Sequence, residues 1–286
     1  MRVGRHLRWR ATAALAGLTA LVAACEPALP KLQPIASNTG QYTPGRIVWV
    51  DLLTPSLEGS KAFYGPLFDW TFQTGADGSS ATILRGDIPV GGMIGHDQEG
   101  DDPTAIWLSS LSVENVDKAT AGAASALGKT VVKPQPAPDR GRVSVVVDSE
   151  NAPIALLRSS TGDPKPRPAR VGEILWADFW TNDPTAAARF YHRVAGLDVA
   201  SVREPDGTRK RVLRRDDTIV GGLVDLPWKD VEPNWLPYVR VSDVAATARH
   251  AASLGGKVLL QGKNVGILQD PQGAAIGIQA REEKRP

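Results

Sequence analysis

The strongest constraint on this chain is that it carries one sequence pattern twice. Arg46 to Phe72 reads RIVWVDLLTPSLEGSKAFYGPLFDWTF, and Glu173 to Val199 reads EILWADFWTNDPTAAARFYHRVAGLDV. At an offset of 127, Trp49 meets Trp176, Asp51 meets Asp178, Thr54 meets Thr181 and Phe63-Tyr64 meets Phe190-Tyr191. Downstream, Val90-Gly91-Gly92-Met93 pairs with Val220-Gly221-Gly222-Leu223, Trp107-Leu108 with Trp235-Leu236, and Leu127-Gly128 with Leu254-Gly255. A repeat of roughly 120 residues is too long for a solenoid unit and marks a duplicated domain. Within each copy the pattern halves again. Ile47–Leu53 is a short β-rich run, Ser56–Leu67 has helical spacing, and three short strands follow at Trp70–Gln73, Ala81–Arg85 and Ile88–Ile94. The same order returns with a strand at Ala105–Val113, a helix at Val116–Leu127, and strands near Thr130, Val143–Val147 and Ile154–Leu157. The expected class is α+β, as two tandem modules that each pair two βαβββ units.

The flanks are of a different kind. Residues 2–10 carry Arg2, Arg5, Arg8 and Arg10, and Ala11–Ala24 is an apolar run shorter than the ~20 residues of a membrane span. That is the layout of an export signal, and Leu21-Val22-Ala23-Ala24-Cys25 resembles a bacterial lipobox ending on the one cysteine of the chain. The resemblance implies cleavage before Cys25, lipidation of its thiol and a place in the bacterial cell envelope, exported and anchored to a membrane. The expected boundaries are residues 1–25 for the signal, 26–45 for a proline-rich disordered tether, 46–158 for module one, 159–171 for a linker, 172–281 for module two and 282–286 for a tail. Of 33 basic residues, removing those four arginines leaves 29 against 31 acidic ones. A near-neutral body lacks the basic excess of a nucleic-acid binder. A single cysteine excludes a disulfide framework and a multi-thiolate zinc site.

Three features carry a family resemblance: the opening W-x-D-L/F-x-T, the helix ending in Phe-Tyr, and the late Leu254–Leu259 with Asp270-Pro271-Gln272-Gly273-Ala274. With them the chain is similar to the vicinal oxygen chelate superfamily, which includes glyoxalase I, bleomycin-resistance proteins and extradiol dioxygenases. The resemblance covers about residues 45–158 and 171–281, with degenerate late motifs in the first module. It implies that each pair of units forms a cup-shaped sheet. In catalytic members a divalent metal sits in that cup on His, Gln or Glu side chains. Counting from the Phe-Tyr pairs, the ligand positions fall on Trp49, Leu108 and Ala155 in module one and on Trp176, Leu236 and Gly277 in module two. None carries a metal-ligating side chain, so no cofactor is expected, and a divalent metal enters only under an alternative enzymatic reading. His192 and His250 read as surface residues, and His96 sits in the polar loop Gly95–Glu99.

The retained residues suggest binding. Trp49 and Asp51, like Trp176 and Asp178, stand two apart on a strand and share a face. A carboxylate there is a structural partner, a ligand acceptor or, given substrate contact, a base. Trp49, Trp107, Trp176, Trp180, Trp235 and Tyr238 offer flat apolar faces with polar edges, which suit an aromatic or heterocyclic ligand as well as a core. The expected substrate-binding set is Trp49, Asp51, Trp107, Trp176, Asp178, Trp235 and Tyr238. The glycine pairs Gly91-Gly92 and Gly221-Gly222 match no nucleotide fingerprint and indicate close packing. The leading expectation is an envelope-anchored protein that binds a small, aromatic or heterocyclic molecule without a catalytic metal. Its alternatives are a glyoxalase or dioxygenase-type metalloenzyme with an atypical site, and a non-catalytic structural or interaction module. The partners are then a small molecule and a membrane but no nucleic acid, with the oligomeric state open.

Overall fold

The structure, a computed structural model, describes residues 32–35, 38–96, 104–203, 207–228 and 231–280. The signal, Cys25, most of the His96 loop and the tail lie outside the described residues. The first copy runs β1 (Ile47–Thr54), α1 (Leu57–Phe68), β2 (Thr71–Thr74), β3 (Ser80–Arg85), β4 (Ile88–Gly95), β5 (Ile106–Ser112), α2 (Val116–Ser125), β6 (Lys129–Ala137), β7 (Gly141–Val147) and β8 (Pro153–Ser159). The second runs β9 (Ile174–Thr181), α3 (Pro184–Ala195), β10 (Asp198–Arg203), β11 (Arg209–Arg215), β12 (Thr218–Asp225), β13 (Asn234–Arg240), α4 (Val244–Ser253), β14 (Lys257–Gln261), β15 (Val265–Gln269) and β16 (Ala275–Gln279). Each copy is the expected α+β pair of βαβββ units. Its strands join in one eight-stranded sheet, ordered β2-β3-β4-β1-β5-β8-β7-β6 and β10-β11-β12-β9-β13-β16-β15-β14.

Local chemistry fixes the helix starts. Ser56, Asn115, Asp183 and Asp243 each accept a backbone N–H from the first turn of their helix, and Pro184 follows Asp183 where its missing N–H costs nothing. Strand β6 holds Pro134 and Pro136, which is possible because it is an edge of its sheet.

The two copies are packed through their helices, with units exchanged across the duplication. One core joins Val50, Leu52, Tyr64, Trp70 and Trp107 of the first copy to Val244, Ala248, Leu268 and Ile276 of the second. The other joins Leu111, Val116, Ala123, Ile154 and Leu156 to Phe179, Phe190, Tyr191, Leu213 and Trp235. Glu150 of the first copy also binds Thr181 Oγ1 and accepts the backbone N–H of Asn182 at 3.1 Å, beside the start of α3. The helix-bearing face of each sheet is thereby covered by the other copy, which leaves the opposite, concave faces as the two cups.

Two expectations need correction. The late pairing of the copies is shifted by one residue: Gly128 N bonds to Ala123 O and Gly256 N to Ala251 O, so Gly128 matches Gly256 and Leu127 matches Gly255. Leu127 therefore sits at φ 66°, where its counterpart Gly255 sits at φ 87°. The second correction concerns the tether, which is not disordered over its described part. Leu32 and Ile35 are buried against Trp49, Ala137, Val143 and Leu157. Residues 38–45 run beside the start of the linker, with Gly40 N bonded to Thr161 O and Asp163 N to Gln41 O. Buried Asp163 accepts from Thr43 N at 2.7 Å and from Ser112 Oγ at 2.6 Å. A few well-placed polar and apolar side chains outweigh the proline-rich composition.

Candidate binding site

The register of the central strands identifies the cup-facing side chains. In the first sheet Trp49 lies opposite Ser110, Asp51 opposite Leu108 and Leu53 opposite Ile106. In the second, Trp176 lies opposite Tyr238, Asp178 opposite Leu236 and Trp180 opposite Asn234. Because side chains alternate across a strand, Trp107 and Trp235 point the other way. Both are almost fully buried in the helix-side cores, where Trp107 Nε1 donates to Tyr64 Oη at 3.1 Å and Trp235 Nε1 to Tyr191 Oη at 2.7 Å. The expectation that these two tryptophans bind substrate is thus corrected. The other five site candidates face the cups, two in the first and three in the second.

The first cup is filled and its central tryptophan and aspartate are satisfied. Trp49 Nε1 donates to Asp51 Oδ1 at 2.9 Å. Arg140 closes a two-pronged ion pair on Asp51, with Nη1 to Oδ2 at 2.9 Å, and both side chains are buried. The Arg140 guanidinium also lies over the Trp49 ring, and its Nε donates to Gln33 O at 2.6 Å. Leu32 and Ile35 occupy one end of this cup, while Leu108, Val132, Val145 and Ala155 fill the other.

The second cup keeps the tryptophan, aspartate and leucine at Trp176, Asp178 and Leu236 but differs around them. Where the first has Leu53, Ile106 and Leu157, the strand registers place Trp180, Asn234 and Gln279. Asp178 accepts the Gly222 N–H at 2.7 Å and is met by Lys210 Nζ at 3.5 Å, a looser pairing than that of Asp51. The Lys210 ammonium also lies 5.0 Å from the Trp176 ring centroid. The Tyr238 ring covers Gly277, a position where a Cβ would collide with it, and packs edge-on to Trp176 at 6.2 Å. Burial pushes the Tyr238 hydroxyl well above its usual range, with the nearby Asp178 charge adding to the effect, so the phenol stays neutral. Trp176 Nε1, Asn234 Oδ1 and Gln279 Oε1 are shut away from solvent without a hydrogen-bond partner. At the Asn234 end a hollow of about 20 Å³ is lined by Trp180, Trp228, Val231, Leu236, Leu259 and Ile267. It admits a water-sized group; a ring system requires the half-exposed Trp228 at its mouth to move.

The glycine pairs act as close-packing positions, as expected: a side chain at Gly92 or Gly222 would strike Asp51 or Asp178. His192 is exposed with Nδ1 3.2 Å from Asp198 Oδ1, and His250 is exposed on α4. A cleft of about 200 Å³ between β1 and β9 is walled by Pro164–Arg167 and Glu173, whose charge Arg167 already pairs.

The metal that the resemblance implies does not fit this donor set. Trp49, Leu108 and Ala155 do face the first cup, and Trp176, Leu236 and Gly277 the second, but these side chains offer an ion no lone pair beyond π-faces. Among the described residues no three His, Cys, Asp or Glu side chains converge. The sequence reading missed Lys210, Asn234 and Gln279, and named Trp180 only as a strand aromatic. For Trp180, Asn234 and Gln279 a signal was present in the repeat itself, as apolar Leu53, Ile106 and Leu157 of the first copy replaced by polar or aromatic residues in the second; Lys210 takes the place of the already polar Ser80.

The family described as glyoxalase-like domain matches residues 175–278, the second copy. CFP32 of Mycobacterium tuberculosis, provisionally named a glyoxylase, is 29% identical over 83% of this chain and 95% of its own. DauV of Streptomyces sp. strain C5, named an anthracycline biosynthesis protein, is 29% identical over 86% of this chain and 97% of its own. The Mn(II)-bound glyoxalase of Novosphingobium aromaticivorans superposes with a TM-score of 0.56 at 15% identity, covering 82% of this chain and 81% of that one. Homoprotocatechuate 2,3-dioxygenase of Brevibacterium fuscum gives a TM-score of 0.58 at 13% identity, with 90% and 86% covered.

Proposed function

The chain carries the vicinal oxygen chelate fold twice, with a glyoxalase-like second copy, and from that premise we propose that the second cup binds a flat, oxygen-bearing aromatic molecule without a metal. The carrying observation is the set of buried, unpartnered polar atoms on the second cup. Buried donors and acceptors are almost always paired, because leaving one unpaired costs about 1–3 kcal/mol. A donor at Trp176 and acceptors at Asn234 and Gln279 on an aromatic wall match a ring system with carbonyl and hydroxyl substituents. The Lys210 ammonium beside Trp176 would favour an enolate or phenolate edge. That DauV is named for anthracycline biosynthesis supports a polycyclic ligand class of this kind.

This reading keeps the protein in the cell envelope, held by a lipid on Cys25, so that the cups work outside the cytoplasm. Changing Cys25 to Ser should move the protein from the membrane fraction to the soluble one; unchanged fractionation would refute the anchor. The binding proposal is tested by titrating hydroxyanthraquinones and catechols against tryptophan fluorescence. Trp176→Phe keeps an aromatic ring but loses the donor, and it should weaken a ligand that binds wild type by about tenfold, the ~1–1.5 kcal/mol of one hydrogen bond. Equal affinity for both proteins, or no quenching by any member of the series, sinks the proposal.

A further inference from the structure

The first cup has lost its opening to a piece of its own chain, and the way that piece is held defines a second kind of ligand. We infer that the first cup is a peptide socket whose resident occupant is Leu32-Gln33-Pro34-Ile35. Leu32 and Ile35, three apart, both enter the cup and meet Trp49, Ala137, Val143 and Leu157, while Pro34 between them stays exposed. Main-chain oxygens are read as well: Arg140 Nε donates to Gln33 O at 2.6 Å, and Thr161 Oγ1 reaches Ile35 O at 3.4 Å. Two aliphatic anchors and two carbonyl contacts are how an extended peptide is recognised by a groove.

The socket is built rather than incidental. Arg140 can donate to Gln33 only because Asp51 holds its guanidinium through both terminal nitrogens and Trp49 supports its face. In the second cup the cation on the Trp176–Asp178 pair is Lys210 of β11, and among the described residues the cluster of cup side chains includes none from the N-terminal segment. Leu157 completes the apolar seat where the second cup has Gln279. The two copies therefore take different ligands: an aliphatic peptide in the first and, on the reading above, an aromatic molecule in the second. The peptide inference does not rest on that reading.

The test uses the full chain with Ile35→Asp, which puts a charge into the seat without touching the socket. A labelled peptide of residues 30–37, PKLQPIAS, should bind this variant at one equivalent per chain and bind wild type at least tenfold more weakly, because the resident segment competes. The variant should also be cut by subtilisin between residues 26 and 45 at least ten times faster than wild type. The milder Leu32→Ser gives a second readout should the aspartate prevent folding, with the same direction in both measurements. Peptide uptake together with faster cleavage supports the socket. Faster cleavage without uptake reduces the segment to ordinary packing and overturns it, as does wild-type protease resistance in both variants. Binding of aromatic probes to the second cup should be unchanged in these variants, so the two proposals fail separately.

Discussion

At the scale of single residues, the sharpest contrast is among tryptophans that look alike in sequence. Trp176 and Trp235 both lie on central strands of the second sheet, but one edge ends in a vacant hydrogen bond and the other in Tyr191 Oη. Trp235→Phe should lower stability by about 2–4 kcal/mol, through a lost bond to a buried hydroxyl and a partly filled space. Its effect on ligand affinity should be small once the protein is folded. Thermal unfolding measured beside the fluorescence titration distinguishes the two, and a Trp235→Phe protein of wild-type stability would remove that residue from the core.

At the scale of elements, the duplication provides an internal control. The turn after α4 uses Gly255 at φ 87°, and the turn after α2 places Leu127 in the same left-handed region with 76% of its surface exposed. A side chain there costs roughly 1–2 kcal/mol, and this leucine recovers little of it by burial. Leu127→Gly should therefore stabilise the protein by about 0.5–1 kcal/mol, allowing for the greater entropy glycine gains when unfolded. A fall in denaturation midpoint would show that Leu127 makes a contact that offsets its strain. The sheet edges differ in the same way: β6 is blunted by Pro134 and Pro136, whereas β14 has no proline and exposes Val258 and Leu260.

At the scale of the molecule, stability is shared between the copies, and its dependence on pH follows from two buried turns. Asp148 Oδ1 accepts the N–H groups of Glu150 and Ala152, and Asp270 Oδ1 those of Gln272 and Ala274. Burial pushes both carboxyls up to about 6. Between about pH 4 and pH 6 the unfolded chain loses these protons while the folded chain keeps them, so stability from these groups falls as pH rises through that window. Above it each ionised carboxylate costs the fold up to ~3 kcal/mol. Asp148→Asn with Asp270→Asn keeps the oxygen acceptors and removes the titration. The stability of this double variant relative to wild type should therefore rise between pH 4 and pH 6.5; a difference constant with pH would refute the assignment. Tyr191 lies near Asp148 and Tyr64 near Asp270, each pair spanning both copies. Either copy expressed alone would expose half of each core, and it should aggregate on expression; a soluble, cooperatively folding single copy would contradict the shared-core picture.

Much of this architecture was legible in the chain because duplication repeats every local signal: the strand before the helix, the cap at its start, the Phe-Tyr pair near its end. These signals act over a few residues, through backbone preference and side-chain alternation, and they determined the element order, the two sheets and the cup-facing positions of Trp49, Asp51, Trp176 and Asp178. What a sequence does not contain is which face of a strand meets which partner across the molecule. Trp107 and Trp235 could be assigned to a core only when Tyr64 and Tyr191 of the covering helices were seen to meet them. The N-terminal segment composed like a tether could be placed in the first cup only through Arg140, more than a hundred residues away. Whether a buried polar edge has a partner is likewise a property of assembled surfaces. The local code built two similar cups, and long-range packing closed one with the chain itself while leaving unpaired polar atoms in the other.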